Sequence, residues 1–162
     1  MLVTRHDMFT IEQVTSEADI DCVRTLFREY ESSLGLDLCF QGFEQELATL
    51  PGSYAPPSGS LLLARSEQAA AGCVGMRKLD EGICEMKRLY VKPAFRGSGL
   101  GRKLVGSIIE RAIAARYRSM RLDTLPEKMS GAVKLYEAIG FRQIEPYYDN
   151  PNVGVLFMEL EF

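Results

Sequence analysis

A glycine-rich turn between residues 89 and 103 is the part of this sequence whose residue types could do chemistry. A strand pattern ends there at a proline, three alternating glycines follow, and a strong helical pattern begins at once. Glycines let backbone N–H groups face outward, and the start of a helix adds unpaired amide donors and a partial positive charge. Arg102 and Lys103 stand in the first helical turn, where the helix dipole disfavours each cation by roughly 0.3–1 kcal/mol. Together with Lys92 and Arg96, they predict an anion site of the phosphate-binding kind.

The spacing of these residues does not match two common nucleotide motifs. Lys103 is followed by Leu104 rather than by serine or threonine, so the P-loop pattern is absent. Gly97, Gly99 and Gly101 alternate strictly, so the dinucleotide fingerprint is not met either. A nucleotide-binding domain stays an alternative, but the chain lacks the partner residues that such a domain needs.

The composition argues against a nucleic-acid-binding protein and against a membrane protein. The 162 residues include 19 basic and 22 acidic side chains, and the net charge of −3 disfavours a nucleic-acid partner. No apolar run approaches the roughly 18 residues of a membrane helix, and the first residues lack the apolar stretch of a signal peptide. We therefore expect a cytoplasmic protein that binds neither nucleic acid nor membrane.

Cysteine and histidine are too scattered for several kinds of active site. Cys22, Cys39, Cys73 and Cys84 form no CxxC pair, which argues against a disulfide framework. His6 is the only histidine, and we expect it to be a surface residue. The sequence therefore excludes zinc sites built on His/Cys clusters, the Ser-His-Asp triad and the Cys-His dyad, and we expect no metal.

Hydrophobic periodicity predicts the elements that must position the turn. The predicted strands cover residues 9–14, 60–65, 70–78, 83–91, 121–124, 141–147 and 153–161. The predicted helices cover residues 16–34, 43–50, 100–113 and 133–139, with a loop over 51–59 that is long enough to be functional. Their order predicts an α/β (α+β mixed) fold with a mixed sheet rather than regular βαβ alternation.

Two ordered motifs resemble a known family. The first runs Arg96-Gly97-Ser98-Gly99-Leu100-Gly101 after Val91-Lys92-Pro93, and it resembles the Q/R-x-x-G-x-G/A signature of the GCN5-related N-acetyltransferase (GNAT) superfamily. The second runs Leu135-Tyr136-Glu137-Ala138-Ile139-Gly140-Phe141 and is similar to that superfamily's LYExxGF segment. The resemblance implies one N-acetyltransferase domain over residues 1–162, with a mixed, mostly antiparallel sheet of about seven strands flanked by about four helices. It also implies transfer of the acetyl group of acetyl-CoA to a primary amine of a small molecule or peptide, by direct attack through a tetrahedral intermediate. Members of the family are often dimers, so a homodimer is one option for this chain, but no apolar stripe in the sequence requires one.

The resemblance also assigns residues to acetyl-CoA. In this superfamily the glycine-rich turn holds the pyrophosphate through backbone amides, and the preceding strand pairs its backbone with the pantetheine arm. Carried over, the cofactor-binding residues are Leu89, Val91, Arg96, Gly97, Ser98, Gly99, Leu100, Gly101, Arg102 and Lys103. Many members have an asparagine three residues before the position of Ala132, where this chain has Met129, so a polar contact to the cofactor is missing or replaced.

Two catalytic residues follow from the resemblance. The attacking amine must be neutral, yet an alkyl amine has a pKa near about 10.4, and a nearby carboxylate can accept its proton directly or through water. Glu85 stands where histone-acetylating members carry this base. The alternatives are a different carboxylate, a water chain, or a Glu85 that is an ordinary solvent-facing residue of its strand. Tyr136 matches the general acid for the leaving thiolate, although its spacing alone would place it in the core. A backbone N–H beside a strand irregularity near Val91 is expected to stabilise the oxyanion.

The acceptor site is expected between the first helices, the 51–59 loop and the final hairpin. Our candidate substrate-binding residues are Tyr30, Arg77 and Tyr147. Position alone adds Tyr54, Tyr148, Asp149 and Asn150, while Arg77, Lys87 and Arg88 could bind a substrate carboxylate or be ordinary surface cations. The sequence does not identify the amine, and a non-catalytic acyl-CoA-binding sensor or assembly module stays the alternative function.

Overall fold

In the part of the chain that the structure describes, a seven-stranded sheet forms the centre of the fold, and four helices pack on its two faces. The computed structural model describes residues 8–36, 38 and 42–162, so His6 and Cys39 lie outside the described residues. The strands are β1 (Phe9–Gln13), β2 (Ser60–Ser66), β3 (Ala69–Asp80), β4 (Ile83–Val91), β5 (Ser119–Thr124), β6 (Arg142–Ile144) and β7 (Leu156–Glu161). The helices are α1 (Glu17–Leu34), α2 (Phe43–Ala48), α3 (Leu100–Ala114) and α4 (Ser130–Ile139), and there are short 3-10 turns at Gly52–Tyr54 and Pro93–Phe95. The predicted mixed α/β fold is confirmed.

The strands follow the order β1-β2-β3-β4-β5-β7-β6 across the sheet. Neighbouring strands are antiparallel except for β4 and β5, which run in the same direction. Parallel neighbours need a long crossover, and α3 supplies it here. Because β4 and β5 are parallel, their carboxyl ends open at the same edge of the sheet, which is where ligands bind in many open sheets.

α1 begins and ends at the capping residues that the sequence predicts. The Ser16 hydroxyl accepts a hydrogen bond from the Asp19 amide at 3.1 Å, and Gly35 ends the helix in the left-handed conformation with φ of 64°. Such an N-cap contributes about 1 kcal/mol to helix stability. Val23 and Phe27, one helical turn apart, are fully buried. The helix therefore presents one apolar stripe to the sheet.

Each face of the sheet has its own apolar core. Successive side chains of a strand point to opposite faces, so Cys73 and Val74 of β3 belong to different clusters. One cluster joins the sheet to α3 through Leu104 and Ile108, and the other joins it to α1 and α2. The sheet is thus fixed from both sides, and its shape at the β4–β5 edge is set by packing.

β4 is irregular at Arg88. Its register against β3 jumps between Lys87 and Tyr90, so that Arg88 and Leu89 together oppose a single residue, as in a β-bulge. Arg88 has φ of 61°, a left-handed conformation that non-glycine residues rarely adopt. Glu46 of α2 holds the Arg88 guanidinium with hydrogen bonds of 3.0 and 2.9 Å, and both side chains are largely buried. This ion pair fixes the bulge.

β4 and β5 separate beyond the bulge. Only residues 83–85 of β4 pair with β5, through residues 119–121. Past that point each strand continues, but within the described residues no strand occupies the β5 side of β4. A crevice therefore opens between the carboxyl ends of the two strands.

The final hairpin differs from its prediction. The strand expected over 141–147 is only Arg142–Ile144, and the strand expected over 153–161 begins at Leu156. Pro146 has no N–H to donate to a ladder. Tyr147 and Tyr148 also leave the sheet, because their hydroxyls donate to carboxylates on β4 and β5. None of the helices in the described ranges is long and apolar enough to cross a bilayer.

Candidate active site

A cleft of about 450 Å³, the cofactor cleft, lies along the end of β4 and the start of α3. Most of the residues that the sequence predicts for the cofactor line it, namely Leu89, Val91, Arg96, Gly97, Gly99, Leu100 and Gly101. Residues 33–34 in the last turn of α1, and residues between 128 and 135 around the start of α4, line the cleft as well. The structure thus brings the strand end and the glycine-rich turn to one concave surface.

The glycine-rich turn presents unpaired backbone amides to the cofactor cleft. Gly97 and Gly99 have φ of 79° and 87°, conformations that favour glycine, and a Cβ on either would contact nothing within 4 Å. The first amide to find a helical acceptor is that of Lys103, which donates to the Gly99 carbonyl at 3.2 Å. The amides of residues 100–102 precede this bond and have no acceptor within the helix. Three free amides can donate to several oxygens at once, and the positive end of the helix dipole favours negative charge. The turn therefore suits an anion such as a diphosphate.

Three predicted cofactor residues lie outside the lining of the cleft. The Ser98 hydroxyl donates to the Phe95 carbonyl, which closes the turn on itself. Arg102 and Lys103 are exposed, and the Lys103 ammonium lies 5.9 Å from the centre of the Phe9 ring. Arg96 does line the cleft, and its Nε donates to the Val91 carbonyl at 3.1 Å. Of the predicted cations, Arg96 is therefore the one held at the mouth of the cleft.

A second cavity of about 50 Å³, the acceptor cavity, occupies the crevice between β4 and β5. Its polar lining consists of Tyr30, Lys87, Arg88, Asp123, Thr124, Tyr136, Asn150 and Asn152. Leu34, Leu89 and Met129 line both this cavity and the cofactor cleft. The two spaces therefore meet where β4 and β5 separate.

Met129 stands at this junction as the N-cap residue of α4. Its side chain makes no capping hydrogen bond, since a thioether is a poor acceptor. It packs against the core cluster on the α1 side of the sheet. Where an asparagine was expected, the chain therefore has an apolar wall between the two spaces.

Tyr136 of α4 lines the acceptor cavity and is 4% exposed. Its ring packs on Phe141 with centres 5.6 Å apart, so the residue has the core contacts that its spacing predicts. Its hydroxyl has no hydrogen-bond partner among the described residues. Burial raises the pKa of Tyr136 well above its ordinary value, so the hydroxyl keeps its proton at neutral pH. It is available as a proton donor to a group in the cavity.

Glu85 is almost completely buried, and both of its oxygens accept hydrogen bonds. Arg77 Nε donates to Oε1 at 2.9 Å, and the Tyr147 hydroxyl donates to Oε2 at 2.7 Å. Glu85, Arg77 and Tyr147 thus form one cluster, but none of them lines the acceptor cavity. Of the three predicted substrate-binding residues, the structure places only Tyr30 in that lining.

Lys87 connects this cluster to the acceptor cavity. Its ammonium lies 3.9 Å from Glu85 Oε1, and its side chain is 7% exposed and lines the cavity. The pKa of Lys87 is lowered to about 8, mainly by burial; the nearby Arg88 acts in the same direction, and Glu85 opposes both. At neutral pH the cavity therefore has a largely protonated ammonium in its wall.

Asp123 and Thr124 are cavity residues that the sequence analysis missed. Asp123 Oδ2 accepts hydrogen bonds from the Tyr148 hydroxyl and from Asn150 Nδ2, the latter at 3.3 Å, whereas no described residue donates to Oδ1. The Thr124 hydroxyl is buried and has no hydrogen-bond partner within the described residues. Their position at the carboxyl end of a strand next to a parallel neighbour is the signal that could have identified them.

Tyr54 and Arg88 have structural partners. Tyr54 is 1% exposed and its hydroxyl donates to Glu46 at 3.0 Å, so this position-based acceptor candidate belongs to the core. Arg88 lines the cavity, but Glu46 neutralises its charge. Tyr30 packs edge-on against Tyr90, with ring centres 6.4 Å apart. No group of three or more His, Cys, Asp or Glu side chains in the described part of the chain is arranged to hold a metal ion.

Comparison with known proteins matches this architecture to one family. The model of the acetyltransferase (GNAT) family matches residues 21–141. A protein of Schizosaccharomyces pombe, named as an uncharacterized N-acetyltransferase, is 44% identical over 154 residues, which is 94% of each chain. The N-acetylaspartate synthetase of Danio rerio is 31% identical over 118 residues, or 72% of this chain and 42% of that one. A solved acetyltransferase from Salmonella typhimurium, described with its cofactor acetyl-CoA, has a TM-score of 0.67 at 20% identity and covers 96% of this chain, with 94% of its own length covered.

Proposed function

The chain belongs to the GNAT family and is an N-acetyltransferase, and we propose that it transfers the acetyl group of acetyl-CoA directly to a primary amine of a small molecule or peptide. The observation that carries this proposal is the junction of the cofactor cleft and the acceptor cavity at Leu89. At that point an acyl group held in the cleft and an amine held in the cavity would be adjacent. Holding two reactants together removes much of the entropic barrier to their reaction.

The residues of the cofactor cleft fit acetyl-CoA. The free amides of residues 100–102 and the positive end of α3 suit the diphosphate, and Arg96 supplies a cation at the mouth. The unpaired edge of β4 offers backbone donors and acceptors to the two amide groups of a pantetheine arm. The acetyl-CoA of the Salmonella typhimurium structure supports this assignment. Leu89 and Val91 would contribute through their main chain.

Asp123 is the carboxylate best placed to receive the proton of the acceptor amine. It lines the cavity, and its Oδ1 is not used by the described residues. Glu85, the base that the resemblance predicts, remains the alternative, but it reaches the cavity only through Lys87 and already binds Arg77 and Tyr147. A base must lie within hydrogen-bond reach of the proton or one water away, which favours Asp123.

Tyr136 is our proposed general acid for the leaving thiolate. Tyr136 lines the acceptor cavity and its hydroxyl is protonated at neutral pH, so it can donate a hydrogen bond to the leaving sulfur and stabilise the developing thiolate. A thiol, with a pKa near about 8.5, is a stronger acid than tyrosine, so complete transfer of the proton is unfavourable and the expected contribution of Tyr136 is modest. The bulge leaves the amides of Arg88 and Leu89 outside the regular ladder with β3, and these are our candidates for the oxyanion donors. The strand irregularity thus lies at Arg88, three residues before Val91.

Two measurements test the proposed function against its alternatives. Acetyl-CoA should raise the melting temperature of the protein, while ATP and NADH should not; stabilisation by ATP or NADH alone would refute a coenzyme A site. Thiol release from acetyl-CoA should then appear with at least one member of an amine library. Binding of acetyl-CoA with no thiol release from any amine would instead support a non-catalytic acyl-CoA sensor.

A further inference from the structure

Resting on the proposed function, we propose that the acceptor is a small amino acid, whose carboxylate binds Lys87 and whose amino group faces Asp123. The two residues lie on the neighbouring strands that form the walls of the acceptor cavity. Their charges have opposite sign, as do the two ends of a zwitterion. The cavity would therefore bind both the carboxylate and the amino group of the acceptor.

The register of the sheet places the two residues on the same face. Glu85 of β4 pairs with Arg121 of β5, which is the last pair before the strands separate. Lys87 and Asp123 each follow two residues later, so their side chains point to the same side of the sheet as those of Glu85 and Arg121. The crevice begins at this position, so an acceptor would enter directly between the ammonium and the carboxylate.

The charges around the cavity favour an acceptor with a carboxylate over a polyamine. Arg88 is neutralised by Glu46, and Arg77 binds Glu85 outside the lining. Besides Arg88, the charged groups of the lining are the ammonium of Lys87, which also lies 3.9 Å from Glu85 Oε1, and the carboxylate of Asp123. A polyamine carries two or more positive charges and would meet one carboxylate and a like-charged ammonium, which is unfavourable at short range. A zwitterion meets one opposite charge at each end.

The size of the cavity and the state of Thr124 also indicate a small polar ligand. A volume of about 50 Å³ holds roughly four water-sized groups, which suits the backbone atoms of an amino acid. Thr124 lines the same cavity and is 6% exposed, and its hydroxyl is buried without a partner in the described residues. Buried hydroxyl groups almost always have a hydrogen-bond partner, so a bound polar group is the expected one.

The test compares each free amino acid with its own carboxamide, because the amide keeps the amine and the side chain but removes the negative charge. We expect kcat/KM for thiol release by the wild-type protein to be about 100-fold higher with the best amino acid than with its amide. Spermidine and a blocked lysine peptide are included as acceptors that lack a nearby carboxylate. Product masses identify the acetylated amine.

Variants locate the effect at Lys87. Lys87→Met keeps the length of the side chain, and it should lower kcat/KM for the amino acid to the level of the amide while changing the amide rate little. Lys134→Met removes an exposed ammonium on α4 and should leave both rates unchanged. The comparison of substrates on the wild-type protein needs no variant, so a misfolded Lys87→Met protein would not obscure the result.

Three outcomes would overturn this inference. One is equal rates with an amino acid and its amide, another is preference for spermidine or the peptide, and the third is an equal loss with both substrates in a Lys87→Met protein that still unfolds cooperatively in urea and still binds acetyl-CoA. In each case amine acetylation itself would still be observed, so the proposed function would stand. Absence of thiol release with every amine, despite bound acetyl-CoA, would overturn both.

Discussion

The buried ammonium of Lys87 should reduce the stability of the protein at neutral pH, and its removal should show this. An ordinary lysine has a pKa of 10.5, whereas that of Lys87 is about 8, so the folded state binds this proton more weakly than the unfolded chain. The difference corresponds to about 3 kcal/mol of destabilisation at pH 7, where both states are protonated. Lys87→Met removes the charge and retains the apolar stem. We therefore expect it to raise the free energy of unfolding at pH 7.

The pH dependence separates the charge from changes in packing. Between pH 8 and 10.5 the folded protein has lost this proton and the unfolded chain keeps it, so wild-type stability rises with pH in this window. The advantage of Lys87→Met over wild type should accordingly shrink by about 2–3 kcal/mol between pH 7 and pH 10. The charged groups that act on Lys87 include Glu85 and Arg88 on β4, Arg77 on β3 and Asp123 on β5, and these four are unchanged in the variant.

Urea unfolding of wild type and Lys87→Met at pH 7, 8, 9 and 10 measures the difference between their free energies of unfolding. The comparison is valid where the two proteins have equal m-values. Lys134→Met is the matched control, because the ammonium of Lys134 is exposed in the folded protein and its removal should give a difference that does not vary with pH. A difference between Lys87→Met and wild type that stays constant from pH 7 to 10 would refute the reasoning. A more stable but less active Lys87→Met protein would mean that Lys87 is retained for function.

Three further predictions concern the reaction. Tyr136→Phe should lower kcat by about 10- to 100-fold without changing acetyl-CoA binding, since the thiolate is a fairly good leaving group, and wild-type turnover would remove Tyr136 from the mechanism. Gly99→Val should raise the KM for acetyl-CoA at least about tenfold, because Gly99 has φ of 87°, which valine rarely adopts. Gly106→Ala is the control, since Gly106 lies in α3 with open space around it; this variant should bind acetyl-CoA normally and gain about 0.5–1 kcal/mol of stability. Asp123→Asn should lower kcat more than Glu85→Gln at pH 7, by about 100-fold or more, and the reverse order would return the role of base to Glu85.

The parts of the fold that depend on adjacent residues could be predicted from the sequence. Ser16 and Gly35 bound α1 as expected, because capping is a local effect. The glycine-rich turn was identified for the same reason, since its conformation and its free amides are properties of consecutive residues. Tyr136 became a candidate catalytic residue through a motif of consecutive residues, whereas its spacing alone predicts a core residue.

The parts that depend on distant residues could not be predicted. The environment of Glu85 is set by Tyr147, which is 62 positions away in the chain. Likewise, the bulge at Arg88 depends on Glu46, 42 positions away, and no local pattern in β4 signals it. Asp123 became a candidate only when the separation of β4 from β5 showed that it lines a cavity. Hydrophobic periodicity identifies the strands but does not tell where two of them part.

The tether between Glu46 and Arg88 has a consequence for how this enzyme can diversify. Residues of α2 line neither the cofactor cleft nor the acceptor cavity, yet one of them holds the strained residue that shapes the wall between them. A change in α2 can shift Arg88 and with it the width of the crevice, while every residue that touches a reactant stays the same. Substrate range can therefore drift through substitutions that a comparison of active-site residues alone would overlook.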